Sequence, residues 1–168
     1  MSHAKILMVL GSSSDLPVTE EATALLKRFE QAYSLRICSA HRSPEALHSI
    51  VSAFEKQGGQ IYICVAGMSA HLAGVVASLT IKPVLAVPCY RPETAGFDAL
   101  LSMGQMPKGI PVSTMSFGKH GCINAVMTAL QIFALSDPGI AERLAAERVQ
   151  TARQVANDDA NNRQDFHV

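Results

Sequence analysis

Ile6-Leu7-Met8-Val9-Leu10-Gly11-Ser12-Ser13-Ser14-Asp15 decides the fold. Residues 6–10 form an uninterrupted apolar run with no alternation, as expected of a strand covered on both faces. The run stops at Gly11, and a short polar loop separates it from helix-like sequence. The same grammar recurs twice downstream. A strand at 35–38 leads into Ser39-Ala40-His41-Arg42-Ser43-Pro44, and a strand at 61–66 leads into Gly67-Met68-Ser69-Ala70-His71. Each loop precedes a helix, so all three should emerge at the carboxyl ends of neighbouring parallel strands, the edge where such sheets bind ligands.

Working outward, Asp15 can cap a helix with Pro17 in its first turn and an apolar stripe reaching about Ala32. Alternatively, Asp15 faces a pocket. Ser43 is expected to cap the next helix, with Pro44 at its first position and Gly58-Gly59 ending it. Further expectations are a helix at 71–79, a strand at 84–87, a helix within 94–103 and a strand at 112–115. A helix at 121–135 and a final helix from Asp137-Pro138 to about Asn157 complete the series. About five strands alternating with helices predict a three-layer α/β/α sandwich with a flavodoxin-like parallel sheet and right-handed crossovers. The final helix has only a thin apolar stripe, which is expected to extend to a neighbouring subunit. The tail 157–168 should be frayed.

The bulk properties agree with one domain spanning residues 1–168. Lys plus Arg and Asp plus Glu are 14 each, so no basic stripe for nucleic acid is expected. Hydrophobic residues make up 48% and aromatic ones 5%, which suits Ala, Val and Ile packing of helices on a sheet. No apolar run approaches the roughly 20 residues that span a bilayer. The opening residues lack a signal-peptide core, so a soluble, cytoplasmic protein is expected. Cys38, Cys64, Cys89 and Cys122 are dispersed without C-x-x-C spacing and read as small buried apolar residues.

Three small loops then concentrate the chemistry. The serine-rich loop offers hydroxyls and amides for a phosphate but has neither a P-loop lysine nor dinucleotide-binding spacing. Asp15 turned into a pocket would accept hydrogen bonds from two ribose hydroxyls. His41 beside Arg42 sets a titratable ring next to a fixed guanidinium that matches phosphate oxygens, so His41 is a candidate proton shuttle. His71 is expected at or just before a helix, and Gly67 would let a ligand approach the backbone. Two histidines with no third ligand at a recognisable spacing argue against a metal site. His3, His48 and His167 look incidental. His120, before a helix in a glycine-rich loop, is harder to dismiss.

Together these loops resemble the N5-carboxyaminoimidazole ribonucleotide mutase family, the catalytic subunits of bacterial phosphoribosylaminoimidazole carboxylase. The likeness runs from Lys5 to about Leu135. It includes the three loops, with Ala70-His71-Leu72 and Gly74, then Pro83-Val84-Leu85-Ala86-Val87-Pro88, Gln105-Met106-Pro107-Lys108-Gly109-Ile110-Pro111-Val112 and Asn124-Ala125. The resemblance implies an isomerase of purine (IMP) biosynthesis that moves a carboxylate from the exocyclic nitrogen to ring carbon 4, without metal or organic cofactor. It implies a homo-octamer with active sites at subunit junctions, functionally coupled to the enzyme that makes its substrate. It places Ser12, Asp15 and Arg42 on the ribose-phosphate, makes His41 the acid/base, and lines the pocket with Ser39, Ala40, Gly67, Ala70, His71 and Leu72. A sealed cavity is expected to hold carbon dioxide against small walls at Gly67, Ala70 and Gly74.

The chain departs from the family pattern at Ala73, at Ala86, and in the bulky stretches Cys89-Tyr90-Arg91-Pro92-Glu93 and Phe117-Gly118-Lys119-His120. These are expected to reshape the pocket rim or subunit contacts. Rival readings are a direct carboxylase using free carbon dioxide, a non-catalytic flavodoxin-like module binding a nucleotide or flavin, and a carboxylase domain acting on a pyridine nucleotide. The His71 segment disfavours the first and the scarcity of aromatics the second. The third usually carries extra domains that 168 residues cannot hold.

Overall fold

A computed structural model describes residues 3–164. The chain forms two compact units, residues 1–129 and 130–168. The first contains β1 (Ile6–Leu10), β2 (Tyr33–Ile37), β3 (Ile61–Ala66), β4 (Val84–Pro88) and β5 (Ser113–Thr114). It also contains α1 (Glu20–Arg28), α2 (Pro44–Lys56), α3 (Leu72–Leu79) and α4 (Phe97–Gly104). α5 (Gly118–Ala134) crosses the boundary, and α6 (Pro138–Asn162) belongs to the second unit.

All four strand pairings are parallel, in the order β2-β1-β3-β4-β5. This is the flavodoxin-like order, whose topological switch point lies between β1 and β3. β1, β3 and β4 are buried at every position, the physical meaning of their unbroken apolar runs. The pleat sends alternate residues to opposite faces. Leu7, Val9, Tyr62, Cys64 and Ala86 meet Leu47, Val51 and Phe54 of α2 and Ala73 and Val76 of α3 in one core cluster. On the opposite face α5 comes so close at Gly121 that a β-carbon there would lie 2.9 Å from Val87 Cγ1.

Several boundaries differ from expectation. Asp15 does not cap an α-helix: residues Ser13–Thr19, with Pro17 inside, form a 3₁₀ segment capped by Ser12, and α1 begins only at Glu20. α1 ends at Arg28 instead of Ala32, because β2 starts earlier, at Tyr33. β2 is a half-exposed edge strand, so its apolar signal is weak. Pro44 opens α2 as expected, but the Ser43 hydroxyl makes no cap bond and turns back to Ser39. β5 is reduced to two residues, and α4, expected within 94–103, starts after Gly96 in a left-handed turn (φ 78°) and runs one residue further, to Gly104.

In the second unit, Asp137 caps α6 by accepting from the amides of Gly139 and Ile140. The helix reaches Asn162, five residues beyond the expected start of fraying, so residues 157–162 are helical. Residues 165–168 of the expected frayed tail lie outside the described residues. Among the described residues, no helix is long and apolar enough to cross a membrane.

Candidate active site

Parallel register brings the polar loops to one edge. Beyond the last paired residues, Gly11 N–H donates to Val65 O, Cys38 N–H to Leu10 O and Cys89 N–H to Ala66 O, at 2.8–2.9 Å. The chain therefore leaves β2, β1, β3 and β4 almost flush, around a cavity of about 540 Å³. All ten expected site residues line it: Ser12, Asp15, Ser39, Ala40, His41, Arg42, Gly67, Ala70, His71 and Leu72.

After β1, Ser12 and Asp15 brace each other. The Ser12 hydroxyl accepts from Ser14 N–H at 3.3 Å, and the Asp15 carboxylate accepts from Ser12 N–H at 3.1 Å. Asp15 thus serves the backbone and faces the cavity at once. It is only 2% exposed, and burial pushes its carboxyl above the ordinary carboxylate value. The charge of Arg91 and hydrogen bonds from Cys89, Ser12 and Ser14 oppose that rise.

After β2, a closed turn presents the histidine and arginine. Ser43 Oγ donates to Ser39 O and accepts from Ser39 N–H, while Ser39 Oγ accepts from Arg42 N–H. After β3, Met68 has φ 58°, a left-handed conformation that costs a non-glycine residue energy and recurs at functional loops. Ala70 and Leu72 are buried on either side of His71, which sits at the start of α3. His41 Nε2 and His71 Nδ1 lie 2.9 Å apart, their rings nearly perpendicular. One nitrogen donates and the other accepts, in roles set by the tautomers of the two rings.

Outside the three polar loops and the start of α3, the structure adds one residue to the site. Arg91, from the stretch after β4, lines the cavity and donates from Nη2 to Asp15 Oδ1 at 3.1 Å and Ser14 Oγ at 3.2 Å. Its sequence signals are its position after a strand that ends on the same edge and its place in the bulky stretch 89–93 expected to reshape the rim. The neighbour it finds at Gly67 also corrects an expectation. A β-carbon at Gly67 would come within 3.2 Å of Arg91 Nε and 3.3 Å of Cys89 Cβ. The absent side chain makes room for protein atoms, not only for a ligand.

Two more expectations change. Gly74 does not line this cavity; it opens onto a neighbouring hollow, with Met106 Sδ 3.2 Å from where its β-carbon would be. His41 and His71 are both exposed, so the sealed cavity is not formed by these residues alone. His120 is not among the lining residues. The four cysteines are buried and free, and burial pushes the thiols of Cys64, Cys89 and Cys122 up to about 12. Among the described residues, no three His, Cys, Asp or Glu side chains gather as a metal ion would require.

Fold and site together define a flavodoxin-like α/β protein whose carboxyl-edge cavity sets two imidazoles beside two guanidiniums and a buried carboxylate. The chain belongs to the AIR carboxylase family, which matches residues 5–154. It is 44% identical over 149 residues to the N5-carboxyaminoimidazole ribonucleotide mutase of Pyrococcus abyssi, covering 89% of this chain and 84% of that one. It is also 44% identical over 154 residues to the protein of the same name from Methanocaldococcus jannaschii, covering 92% and 94%. The crystal structure of Treponema denticola PurE superposes with a TM-score of 0.85 at 30% identity, covering 95% of this chain and 98% of that one.

Proposed function

We infer that the protein is an isomerase of purine biosynthesis that converts N5-carboxyaminoimidazole ribonucleotide to 4-carboxy-5-aminoimidazole ribonucleotide. The observation that carries this reading is the His41–His71 pair, 2.9 Å apart on the wall of the cavity that also holds Asp15 and Arg42. Relatives of that name, alike over nearly the whole chain, support it.

The reaction needs one proton given and one taken. Protonated His41 gives its proton to the exocyclic nitrogen as the N–C bond to the carboxylate breaks and carbon dioxide is released. Ring carbon 4 attacks that carbon dioxide, forming the new C–C bond. Neutral His41 then removes the proton from carbon 4, restoring the aromatic ring and its own starting state. Atoms and charge balance without a cofactor. Such acid–base work is worth about 10²–10⁴-fold, and the remainder comes from holding the two fragments together. His71 positions the His41 ring. Ser12, Asp15 and Arg42 hold the ribose-phosphate, and Ser39, Ala40, Gly67, Ala70 and Leu72 shape the wall.

Retaining carbon dioxide requires water to be kept out, whereas both imidazoles are exposed in the single chain. The reading therefore includes a homo-oligomer, an octamer by family resemblance, with a neighbouring copy closing the cavity. It also includes a cytoplasmic location, where free nucleotides are made. On α6 only Ile140 and Leu144 are buried, while Val149 and Val155 are 51% and 63% exposed, which supports a role for that helix against another copy.

The test is turnover of N5-carboxyaminoimidazole ribonucleotide, ¹³C-labelled in its carboxylate, in unlabelled bicarbonate. Retention of the label in the carbon 4 carboxylate is expected. Turnover that occurs only from aminoimidazole ribonucleotide with bicarbonate would replace this reading with the direct carboxylase.

A further inference from the structure

The serine-rich loop has the hydroxyls of a phosphate site but no cation: Gly11 to Asp15 contains neither lysine nor arginine. A buried carboxylate in the same loop makes matters worse, because Asp15 would repel a phosphate arriving at Ser12 and Ser14. The structure brings a cation from elsewhere. Arg91 reaches across the end of β3, over Gly67, and its Nη2 meets Ser14 Oγ at 3.2 Å and Asp15 Oδ1 at 3.1 Å.

We propose that Arg91 is a specificity-determining residue that supplies this loop with the guanidinium that binds the substrate's phosphate, acting alongside Arg42. The assignment rests on the ribonucleotide reading of the site.

Three features support it. First, the guanidinium is preorganised. Its partner Asp15 is buried, with the side chain 3% exposed, and Gly67 leaves no β-carbon in its path, so little rotamer freedom remains to be lost on binding. Second, donors remain. A guanidinium has five N–H groups, and both hydrogen bonds to the described residues leave from Nη2. The Arg91 side chain is 34% exposed and lines the cavity, so the rest of its fork can meet phosphate oxygens. Third, Arg91 offsets the Asp15 charge, so the loop carrying Ser12 and Ser14 does not repel an incoming phosphate.

The bulk of Cys89-Tyr90-Arg91-Pro92-Glu93, a departure from the family pattern, thereby acquires a use. Arg91 makes good a charge that the serine-rich loop lacks.

The test is calorimetric titration of the full-length protein with ribose 5-phosphate between pH 5 and 8, for the wild type, Arg91→Met and Arg91→Lys. Methionine keeps much of the stem and removes the charge. Arg91→Met should weaken binding about 10- to 100-fold, the worth of one charge-assisted hydrogen bond. Arg91→Lys should recover part of the loss, since it keeps the charge without the fork. Wild-type affinity should rise as the phosphate becomes a dianion near pH 6, and that rise should flatten in Arg91→Met, which a merely structural role would not produce. In turnover, KM should carry the defect and kcat should stay within about threefold.

The proposal is overturned if ribose 5-phosphate does not saturate the wild type, or if Arg91→Met binds within twofold of it. It is also overturned if the defect appears in kcat with KM unchanged. Should Arg91→Met fail to fold, the lysine variant decides: affinity equal to wild type with an unchanged pH profile overturns it. A wild type that binds ribose 5-phosphate through Arg91 but does not isomerise the carboxylated nucleotide would refute the proposed function and leave the Arg91 assignment standing.

Discussion

Removing the His71 ring tests how the two histidines divide the work. His41 Nε2 and His71 Nδ1 are 2.9 Å apart in an exposed pair, so their hydrogen bond contributes about 0.5–1.5 kcal/mol net. At one decade per 1.36 kcal/mol, losing it should slow the chemical step about 2- to 13-fold if His71 only orients its neighbour. His41→Asn removes the acid and base itself and should cost about 10²–10⁴-fold, with substrate affinity within a few-fold. Asparagine at position 71 is informative because its amide falls near the position of Nδ1. His71→Asn should restore most of the rate that His71→Ala loses, which an independent proton carrier could not do. The double variant His41→Asn/His71→Ala should be no slower than His41→Asn alone within about twofold, because a positioning residue has nothing left to position. Single-turnover absorbance of the carboxylated product measures each step, and calorimetry with the aminoimidazole ribonucleotide measures affinity. Two results would refute the reasoning: His41→Asn within tenfold of the wild-type rate, or independent losses that multiply in the double variant.

Two further outcomes follow from the buried groups. Burial raises the Asp15 carboxyl above its ordinary value, so the folded state holds that proton more tightly than the unfolded chain does. Its contribution is favourable at acid pH and is lost as pH rises through the raised value. Asp15→Asn, always neutral, should gain in melting temperature relative to the wild type as pH rises above the ordinary carboxylate range, while weakening ribose 5-phosphate binding. A gap that shrinks as pH rises would contradict this. With their thiols pushed up to about 12 and their side chains buried, Cys64, Cys89 and Cys122 should resist a thiol reagent at pH 8 until the protein is unfolded. Fast labelling of any of the three in the native protein would count against the packing.

The core strands were legible because burial on both faces leaves short unbroken apolar runs, bounded by glycine, proline and polar loops. β1 and β3 have all positions buried and were bounded to the residue, and β4 gained only Pro88. Errors gathered where that signal weakens. β2 is an edge strand with no buried position, so its start was placed two residues late. β5 keeps only two residues of the expected 112–115, too few for a burial pattern to mark its ends. At the start of the first helix, Ser12 and Asp15 make the reciprocal cap of a helix amino terminus, but around a 3₁₀ segment, which delays α1 to Glu20. The cap falls on Ser12, with Asp15 as its reciprocal partner, whereas the sequence reading puts the cap at Asp15.

The site divides along the same line. Each loop is contiguous in the chain, so Ser12 and Asp15, His41 and Arg42, and Gly67 to Leu72 could be found from what precedes and follows them. What no local window contains is which residues touch. His41 meets His71 across 30 residues, and Arg91 meets Asp15 across 76. Both contacts depend on register: Leu10 pairs with Ile37 on one side and Val65 on the other, and Ala66 pairs with Pro88. A one-residue slip in a strand would turn its side chains to the other face and withdraw its loop from the cavity. β1, β3 and β4 resist such a slip because it would draw an exposed flanking residue, Lys5, Gln60 or Pro83, into a fully buried run. The apolar strands thus do more than fill the core. They hold the loop ends level, and that alignment lets an imidazole and a guanidinium each find its distant partner.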